Sequence, residues 1–336
     1  MDWTLIVANS LKGLIGINAV YFAIAAIGMN VQFGYAGLLN FGQAGFMACG
    51  AYGLGMTAHY FDISFWWGIP LGILFSVLLG LLMGVPTLRL RADYLAIVTI
   101  ASAEIIRLVV RSVKFKTYFG GSDGINSFAQ PFRKVGNSLG IEEADEYGFW
   151  PFRFTGRELW TLIVGWILVA LLGFFVYKLM KSPWGRVLKA IREDEDAVRS
   201  LGKNVYSYKM QALIMGGVIG TISGMVFALD RAAVQPDNYS RDVTFYILTA
   251  LVLGGVAKVS GSIVGPMMFW GLFTFMDNFL RQVAEDPIHL GNITLMKSTQ
   301  VGQLNYILIG LTLILLMVYR PQGVFGNRQE MAFDGR

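Results

Sequence analysis

The charged side chains best placed to do chemistry lie in one polar segment, SPWGRVLKAIREDEDAVRSLGKNVYSYK, at 182–209. Its apolar residues recur at three- and four-residue steps with charges on the other face, which predicts one or two amphipathic helices. The apolar positions are Trp184, Val187, Leu188, Ile191, Val198 and Leu201. Pro183 suits a first helical turn, and Gly202 suits a C-terminal stop. Charges on a short ordered helix are suited to ion pairing with a partner protein, so this segment is the first candidate for an interface.

A carboxylate within an apolar run is the second candidate for chemistry. Glu104 falls in the run 93–112, where a charge is costly unless it is paired or faces water. Arg107 follows three residues later and Arg111 seven residues later, on nearly the same helix face. The spacing favours a structural ion pair near the outer end of a helix. The alternative is that Glu104 lines a solute path.

Two amides stand in a Gly-rich stretch, GYAGLLNFGQAG at 34–45, between two apolar runs. Unwound backbone at membrane depth is tolerated only where it is buried in protein or lines a water-filled cavity, and transporters place substrate sites at such breaks. Asn40 and Gln43 are therefore candidates for a substrate path. A tight turn at the membrane surface is an equally weighted alternative. A similar stretch, LVLGGVAKVSGSIVG at 251–265, is a weak candidate for an internal repeat.

Small residues also repeat every fourth position in a later run. They are Ala212, Gly216, Gly220, Gly224 and Ala228. On a helix they form a smooth stripe that a second helix can approach closely. The pattern favours helix packing at Gly216, Gly220 and Gly224 over direct contact with substrate.

Several kinds of active site have no support in the sequence. No G-x-x-x-x-G-K-[ST] phosphate loop occurs, and the nearest string, LGKN at 201–204, lacks the upstream Gly and the hydroxyl. We therefore expect no cofactor on this chain and no ATPase site. His59 and His289 fall in separate predicted outer loops without a Cys or His partner, which argues against a metal site. No G-x-S-x-G elbow is present, so an integral-membrane enzyme is an alternative without positive support.

The composition places these candidates in a membrane protein. The mean hydropathy is +0.55, and 15% of residues are charged, against about 25% in an average soluble domain. We predict one all-α polytopic domain over 1–336, with about nine spans. The predicted spans are 10–32, 41–58, 64–87, 93–112, 159–180, 206–229, 243–257, 262–280 and 303–319. The runs at 41–58 and 243–257 are short and Gly-rich, so either a span or a re-entrant helix fits them.

The distribution of Lys and Arg gives an orientation. It favours a cytoplasmic loop at 182–209, an extracytoplasmic loop at 113–157, the N-terminus outside and the C-terminus inside. The net charge of +5 is spread over many short loops, as in juxtamembrane anchors. This distribution argues against nucleic-acid binding.

Five motifs in order resemble the permease subunits of branched-chain amino acid ABC importers, the LivM type in particular. They are GYAGLLNFGQAGFMACGAYG, LRLRADYLAIVTIASAEIIRLVVRS followed by GGSDGI, WGRVLKAIREDEDAVRSLGKNVYSYK, LVLGGVAKVSGSIVGP and YRPQGVFG. Together they run from about Gly34 to Gly326, most of the chain. Each motif alone is weak, and their combination is specific.

The resemblance implies a role for the polar loop. In bacterial ABC importers a cytoplasmic permease loop with an E-A-A-x-x-x-G pattern docks into a groove on the ATPase subunit. Asp196, Ala197, Val198 and Gly202 fit this pattern, with Asp for Glu and Val for the second Ala. The residues assigned to coupling are Arg186, Arg192, Glu193, Asp194, Asp196, Ala197 and Gly202.

The resemblance also implies partners and a cargo. These are a second permease chain, two cytoplasmic ATPase subunits that bind ATP and Mg, and an extracytoplasmic solute-binding protein, in the bacterial plasma membrane. The implied solute is leucine, isoleucine, valine or a related small amino acid. Urea or a short amide carried by the same machinery is one alternative, and a secondary transporter or channel that works alone is another.

Overall fold

A helix occupies each of the nine apolar runs that the sequence predicts. The computed structural model describes residues 3–59, 64–88, 92–285, 289–290, 293–294, 301–319 and 323–325 of the chain. The α-helices of these residues are α1 (Trp3–Ile15), α2 (Ile17–Met29), α3 (Gln43–His59), α4 (Gly68–Thr87), α5 (Ala92–Arg111), α6 (Lys116–Phe119), α7 (Gln130–Ser138), α8 (Gly156–Lys181), α9 (Pro183–Glu193), α10 (Glu195–Ser200), α11 (Val205–Arg231), α12 (Arg241–Gly254), α13 (Val259–Glu285) and α14 (Val301–Tyr319). A π-helix, Asn30–Tyr35, follows α2 directly.

Five helical stretches of the described residues are long and apolar enough to cross a membrane. They are Trp3–Tyr35, Phe65–Thr87, Gly156–Lys181, Val205–Arg231 and Val259–Val283. The predicted class, a polytopic helical membrane protein, is confirmed.

Two of the other predicted spans form short helices. α3 has 17 residues and α12 has 14, which at 1.5 Å per residue correspond to about 25 Å and about 21 Å. A hydrocarbon core is about 30 Å thick. Neither helix is long enough to cross that core alone, so a re-entrant helix and a span completed by the neighbouring unwound segment both stay predictions.

The first span differs from its predicted bounds of 10–32. The helix already starts at Trp3, and it is broken at Gly16, whose ψ of 171° is extended. Trp166 of α8 donates its indole N–H to the carbonyl of Ile15 at 3.0 Å. The break separates α1 from α2, and one carbonyl at the end of α1 is satisfied by a neighbouring helix.

Short strands depart from the all-α prediction. Three antiparallel pairs are formed by β1 (Ile125–Asn126) with β4 (Ala233–Val234), β2 (Glu146–Phe149) with β3 (Phe152–Thr155), and β5 (His289–Leu290) with β6 (Ile293–Thr294). The predicted 113–157 loop therefore contains a hairpin, β2–β3, and is attached through β1 to the segment that follows α11. A two-residue pairing between distant segments leaves no periodic signal in the sequence.

The helix after this loop begins with a recognisable sequence signal. Thr155 accepts a hydrogen bond from the amide of Glu158, whose carboxylate accepts one from the amide of Thr155. This capping box satisfies two amides at the start of α8. Lys178 and Lys181 occupy the last turn, where positive charge complements the helix dipole.

The core is built around α2 and α11. All residues of α2 from Ala19 to Met29 are buried, and α2 packs against α8, α11 and α13. Within α11, a Cβ added at Gly216 would lie 2.5 Å from the carbonyl oxygen of Gly28, and one added at Gly224 would lie 2.0 Å from that of Met47. Backbones meet at these positions, as the small-residue stripe predicts.

The second Gly-rich stretch forms a tight turn between α12 and α13. A Cβ added at Gly265 would lie 2.0 Å from the carbonyl oxygen of Ala250. The amide of Val324, beyond α14, donates to the carbonyl of Leu253 at 2.9 Å. The end of α12 therefore lies against both α13 and the residues that follow α14.

Contacts between distant segments sort the loops onto two faces. Arg192 of the 182–209 loop reaches Gly34 on one face, whereas Arg107 and Asp237 meet on the other. This grouping fits the predicted alternation, in which the 113–157 loop lies opposite the 182–209 loop. Which face is cytoplasmic stays a prediction.

Candidate functional site

The predicted coupling segment folds into two helices joined at one residue, α9 and α10. The hydroxyl of Ser182 accepts a hydrogen bond from the amide of Gly185, and the carboxylate of Asp194 accepts one from the amide of Ala197 at 2.9 Å. Both side chains satisfy amides at helix starts. Asp194, one of the residues assigned to coupling, therefore fixes the angle at which α10 leaves α9.

The inner face of this helix pair is apolar. Leu188, Ile191 and Val198 are buried, and Ile191 and Val198 pack with Val205 at the start of α11. Leu201 differs from its predicted place on this face, because 80% of it is exposed. α10 ends at Ser200, so Leu201 lies beyond the helix.

The turn after α10 explains the exposure of Leu201. Gly202 has a φ of 75°. Its amide donates to the carbonyl of Arg199, and the amide of Lys203 donates to that of Val198. These two bonds form a Schellman motif, in which a left-handed glycine ends the helix. The Gly of the E-A-A-x-x-x-G pattern thus has a structural role that presents Leu201 outward.

Charged groups cover the outer face of the helix pair. Glu193, Asp196 and Ala197 are exposed, and Asp196 pairs with Arg199 at 2.8 Å. Arg186 donates to the carbonyl of Lys181 at 3.1 Å. The face is a mixed-charge surface with an exposed leucine beside it, which is a composition suited to a protein partner.

Arg192 points the other way, into the protein. Its guanidinium donates a hydrogen bond to the main-chain carbonyl of Gly34, in the π-helix. Gly37, which has a φ of 66°, lies against the same side chain, since a Cβ added there would be 3.2 Å from Cγ of Arg192. Lys189 also lies over the ring of Tyr35 at 5.5 Å. α9 is therefore attached to the first Gly-rich segment.

The π-helix in turn contacts α11 and the turn between α12 and α13. The side-chain amide of Asn30 donates to the carbonyl of Lys258 at 3.0 Å, and its oxygen accepts from the amide of Ala257 at 2.9 Å. Gln32 donates to the carbonyl of Leu213, in α11, at 2.8 Å. π-helical turns often occur at functional sites. Asn30 and Gln32 were not among the predicted site residues, although two amides in the apolar string MNVQFG were a visible signal.

The two amides predicted for a substrate path lie in the same network. Asn40 donates to the side-chain oxygen of Gln32 at 2.8 Å and to that of Gln43 at 3.4 Å. Gln43 donates to the carbonyl of Gly216 at 3.2 Å. A Cβ added at Gly220 would lie 2.2 Å from Nε2 of Gln43. Asn40 and Gln43 are buried, and their amides connect the start of α3 to the small-residue stripe of α11.

Two threonine hydroxyls bind backbone amides of the unwound segment before α3 and of the first turn of α3. Thr99 of α5 accepts from the amide of Phe41 at 3.1 Å, and Thr244 of α12 accepts from the amide of Ala44 at 2.9 Å. These hydroxyls satisfy backbone amides that no helix satisfies, as buried unwound chain requires. The sequence offered no signal for either residue, because nothing in the local pattern distinguishes it from other polar residues of its helix, such as Thr249 in α12.

Glu104 lies in an ion-pair network at the opposite end of the protein. Arg107 binds its carboxylate at 2.5 Å and that of Asp237 at 2.6 Å, and Arg111 lies 3.2 Å from Asp237. The favoured interpretation, a paired carboxylate near the outer end of α5, agrees with this geometry. Asp237 is the partner that sequence spacing did not reveal.

The nearby GGSDGI string forms a surface turn. Gly120, Gly121 and Gly124 all have positive φ. The ammonium of Lys116 donates to the carboxylate of Asp123 at 2.7 Å, and this lowers the pKa of the Asp123 carboxyl. Among the described residues, no group of three His, Cys, Asp or Glu side chains is arranged to hold a metal ion.

Comparisons with known proteins agree on one family. Residues 14–317 match the family described as branched-chain amino acid transport system / permease component. The high-affinity branched-chain amino acid transport system permease protein LivM of Escherichia coli (strain K12) is 28% identical over 96% of this chain and 71% of that protein. The probable branched-chain amino acid transport permease protein LivM of Methanocaldococcus jannaschii is 25% identical, with 91% of each chain covered.

Similarity extends to a permease with another cargo in its name. The nucleoside ABC transporter permease protein NupC of Lactococcus lactis subsp. cremoris is 26% identical over 71% of this chain and 73% of that protein. No solved structure matches the chain significantly.

Proposed function

Because this chain belongs to the family of permease components of branched-chain amino acid transport systems, we propose that it is a membrane subunit of an ATP-driven importer for branched-chain or related small amino acids. The observation that carries the proposal is the α9–α10 pair, with an exposed charged face outward and Arg192 bound to Gly34 inward. A helix pair of this kind connects a soluble partner to the membrane helices.

The partners follow from the family. In this proposal the chain assembles with a second permease chain, two cytoplasmic ATPase subunits and an extracytoplasmic solute-binding protein. ATP and Mg bind to the ATPases, and this chain carries no ATPase site of its own. The 182–209 loop and the C-terminus face the cytoplasm, and the N-terminus and the 113–157 loop face outward.

Docking uses the outer face of α9 and α10. Asp196, Ala197 and Leu201 are exposed together around the Schellman turn, so they meet the ATPase groove. Arg186 and Glu193 extend this surface along α9. An exposed leucine surrounded by charges supplies an apolar contact within a polar rim.

Movement of α9 reaches the membrane helices through the π-helix. Arg192 holds Gly34, and the same π-helix holds α11 through Gln32 and the α12–α13 turn through Asn30. A displacement of α9 relative to α11 thus changes the packing at Asn40 and Gln43. ATP binding and solute binding each bias one of two such arrangements, which is what alternating access requires.

The amides of Asn40 and Gln43 have a positioning role in this proposal. They hold the unwound segment before α3, and Phe41 of that segment stacks on Phe245 of α12 with ring centroids 5.6 Å apart. Phe245 is 42% exposed, so this aromatic pair borders the surface of the protein near Thr99. In this proposal the solute path runs beside this aromatic pair and the buried amides, and such surroundings suit a small amphipathic solute. Glu104, near the outer end of α5, is a second candidate for a residue that lines the solute path.

Uptake into proteoliposomes tests the proposal. The chain is purified with its accompanying subunits, ATP is enclosed on the ATPase side, and uptake of L-leucine is compared with that of L-alanine, urea and adenosine. We expect saturable, ATP-dependent uptake of leucine when the solute-binding protein is present. Selective adenosine uptake would instead assign the cargo class named for the Lactococcus relative, and uptake driven by an ion gradient without ATP would support a secondary transporter.

A further inference from the structure

A cavity of about 270 Å³ opens where the first helix is broken. It is bordered by α1 and α2 on both sides of Gly16, by the start of α8 and by α13. None of the residues assigned to coupling borders it, and neither do the buried amides of Gln32, Asn40 and Gln43. The residues around it come from the face opposite the 182–209 loop, because Glu158 directly follows β3 of the outer loop.

The cavity contains one cation and one anion that are only loosely paired. Nζ of Lys12 lies 3.7 Å from Oε2 of Glu158, and both side chains are more than one third exposed. Lys12 also lies over the ring of Phe154 at 4.6 Å. An ammonium group has three donors and a carboxylate has about four acceptor positions, so each group retains capacity for a ligand.

One further set of donors borders the same space. Gly16, the residue before α2, supplies no side-chain cap, and the first residues of α2, Ile17 and Asn18, border the cavity. Uncapped amides at a helix start favour an anionic group. The ring of Trp270 also borders the cavity and adds apolar surface to it.

Other lining residues supply amides and apolar surface. Asn9 donates to the side-chain oxygen of Asn278 at 3.3 Å, and Leu162 and Phe154 provide apolar contact. Donors for an acid group and a carboxylate for an ammonium group therefore lie within one small space.

We propose that this cavity binds a small zwitterion whose acid group and ammonium group are a few atoms apart. Lys12 and the first amides of α2 hold the acid group, and Glu158 holds the ammonium group. Two sources share this chemistry: a free amino acid, and the headgroup of phosphatidylethanolamine. The site is separate from the proposed coupling and transport elements, and its test does not require transport.

Binding of soluble probes to the full chain tests the proposal. The chain, with any accompanying subunits, is placed in nanodiscs of phosphatidylcholine, and the binding of L-leucine and glycerophosphoethanolamine is measured by calorimetry. Glycerophosphocholine is the matched probe, because its quaternary nitrogen has no N–H to donate to Glu158. We expect saturable binding of at least one zwitterion and at least tenfold weaker binding of glycerophosphocholine. Binding of leucine alone would assign a free amino acid, and binding of glycerophosphoethanolamine alone would assign the lipid headgroup.

Three variants locate the binding. Lys12→Met and Glu158→Gln each remove one charge and should weaken binding by about tenfold or more. Lys12→Arg keeps a cation at this position and should bind within severalfold of the wild type. Lys178→Met is the control, since Lys178 lies over the ring of Phe174 at 5.5 Å near the other end of α8, and it should bind as the wild type does.

Two results would overturn the proposal. One is wild-type protein that binds neither probe, and the other is binding that Lys12→Met and Glu158→Gln leave unchanged. Melting temperatures of the variants identify any that have lost the fold, and the preference of the wild type for the other two probes over glycerophosphocholine then remains as the test. A wild-type chain that binds a probe here but shows no ATP-dependent uptake would leave this site standing and reject the proposed transport function.

Discussion

Arg192 in α9 donates a hydrogen bond to the main-chain carbonyl of Gly34, 158 positions earlier in the chain. The contact joins the most polar segment of the protein to the unwound segment that interrupts its apolar helices. The family resemblance assigns Arg192 to coupling with the ATPase, and its side chain is directed into the protein. We therefore place Arg192 behind the proposed docking surface, between that surface and the membrane helices.

The first prediction concerns this contact. Arg192→Ala removes the bond to Gly34 but leaves the exposed residues of α9 and α10 in place. We expect ATP-dependent uptake to fall on the order of tenfold, which is typical of a lost coupling between sites, while the ATPase subunits still associate. Uptake and co-purification measured on the same preparation check both parts.

Arg281→Ala is the control for this variant. Arg281 is an exposed arginine that pairs with Asp277 at 2.7 Å, on α13 and away from the coupling loop, and its loss should change neither quantity. Loss of ATPase association in Arg192→Ala would instead return Arg192 to the interface.

The second prediction concerns Leu201. The chain has a single cysteine, Cys49, which is buried, so Leu201→Cys places one exposed thiol at the Schellman turn. We expect labelling by a soluble maleimide to slow at least tenfold when the ATPase subunits are bound, because the docked groove covers this position. Val113→Cys is the matched control, since Val113 is 84% exposed in the opposite loop. Equal labelling of Leu201→Cys with and without the ATPases would place the interface elsewhere.

The third prediction concerns the small-residue stripe. In Gly224→Ala the new methyl group would lie 2.0 Å from the carbonyl oxygen of Met47, and backbone cannot yield as a side chain can. We expect the free energy of unfolding to fall by about 1–3 kcal/mol, read as a lower melting temperature in detergent. Gly310→Ala in α14 is the control, because no described atom lies within 4 Å of its added methyl group. That variant should be neutral or gain up to about 1 kcal/mol from helix propensity.

The fourth prediction concerns Gln43. Gln43→Ala leaves the carbonyl of Gly216 without its side-chain donor and loosens the start of α3 against α11. We expect uptake per molecule to fall severalfold while the amount of protein in the membrane stays close to that of the wild type. Gln303→Ala, at an exposed amide in α14, should leave uptake unchanged. Normal uptake kinetics in Gln43→Ala would exclude the amide network of Gln32, Asn40 and Gln43 from the transport cycle.

Much of the helical framework was predictable because it depends on local signals. Apart from the first span, the apolar runs give the helices to within a few residues. Ser182, Thr155 and Gly202 mark helix ends through caps that depend on neighbours three or four residues away. The stripe at Gly216 and Gly224 was also predictable, since small residues at a spacing of four allow close backbone contact.

The site was less predictable because its bonds join residues far apart in the chain. Asn40 and Gln43 were visible as amides in an apolar stretch, but their contacts to α11 depend on tertiary packing. Thr99 and Thr244 gave no signal at all, for the same reason. Leu201 fits the apolar period, and the sequence therefore predicted it on the buried face. α10 ends at Ser200, before Leu201, so this residue is exposed instead.

Co-purification tests the central claim most directly. The chain is tagged in its native host, solubilised gently and isolated, and the proteins that accompany it are identified by mass spectrometry. The account predicts a second permease chain and a pair of ATPase subunits, with the ATPases lost when Asp196 and Leu201 are replaced by Arg. A chain isolated alone or as a homo-oligomer, and active in vesicles without ATP, would contradict it.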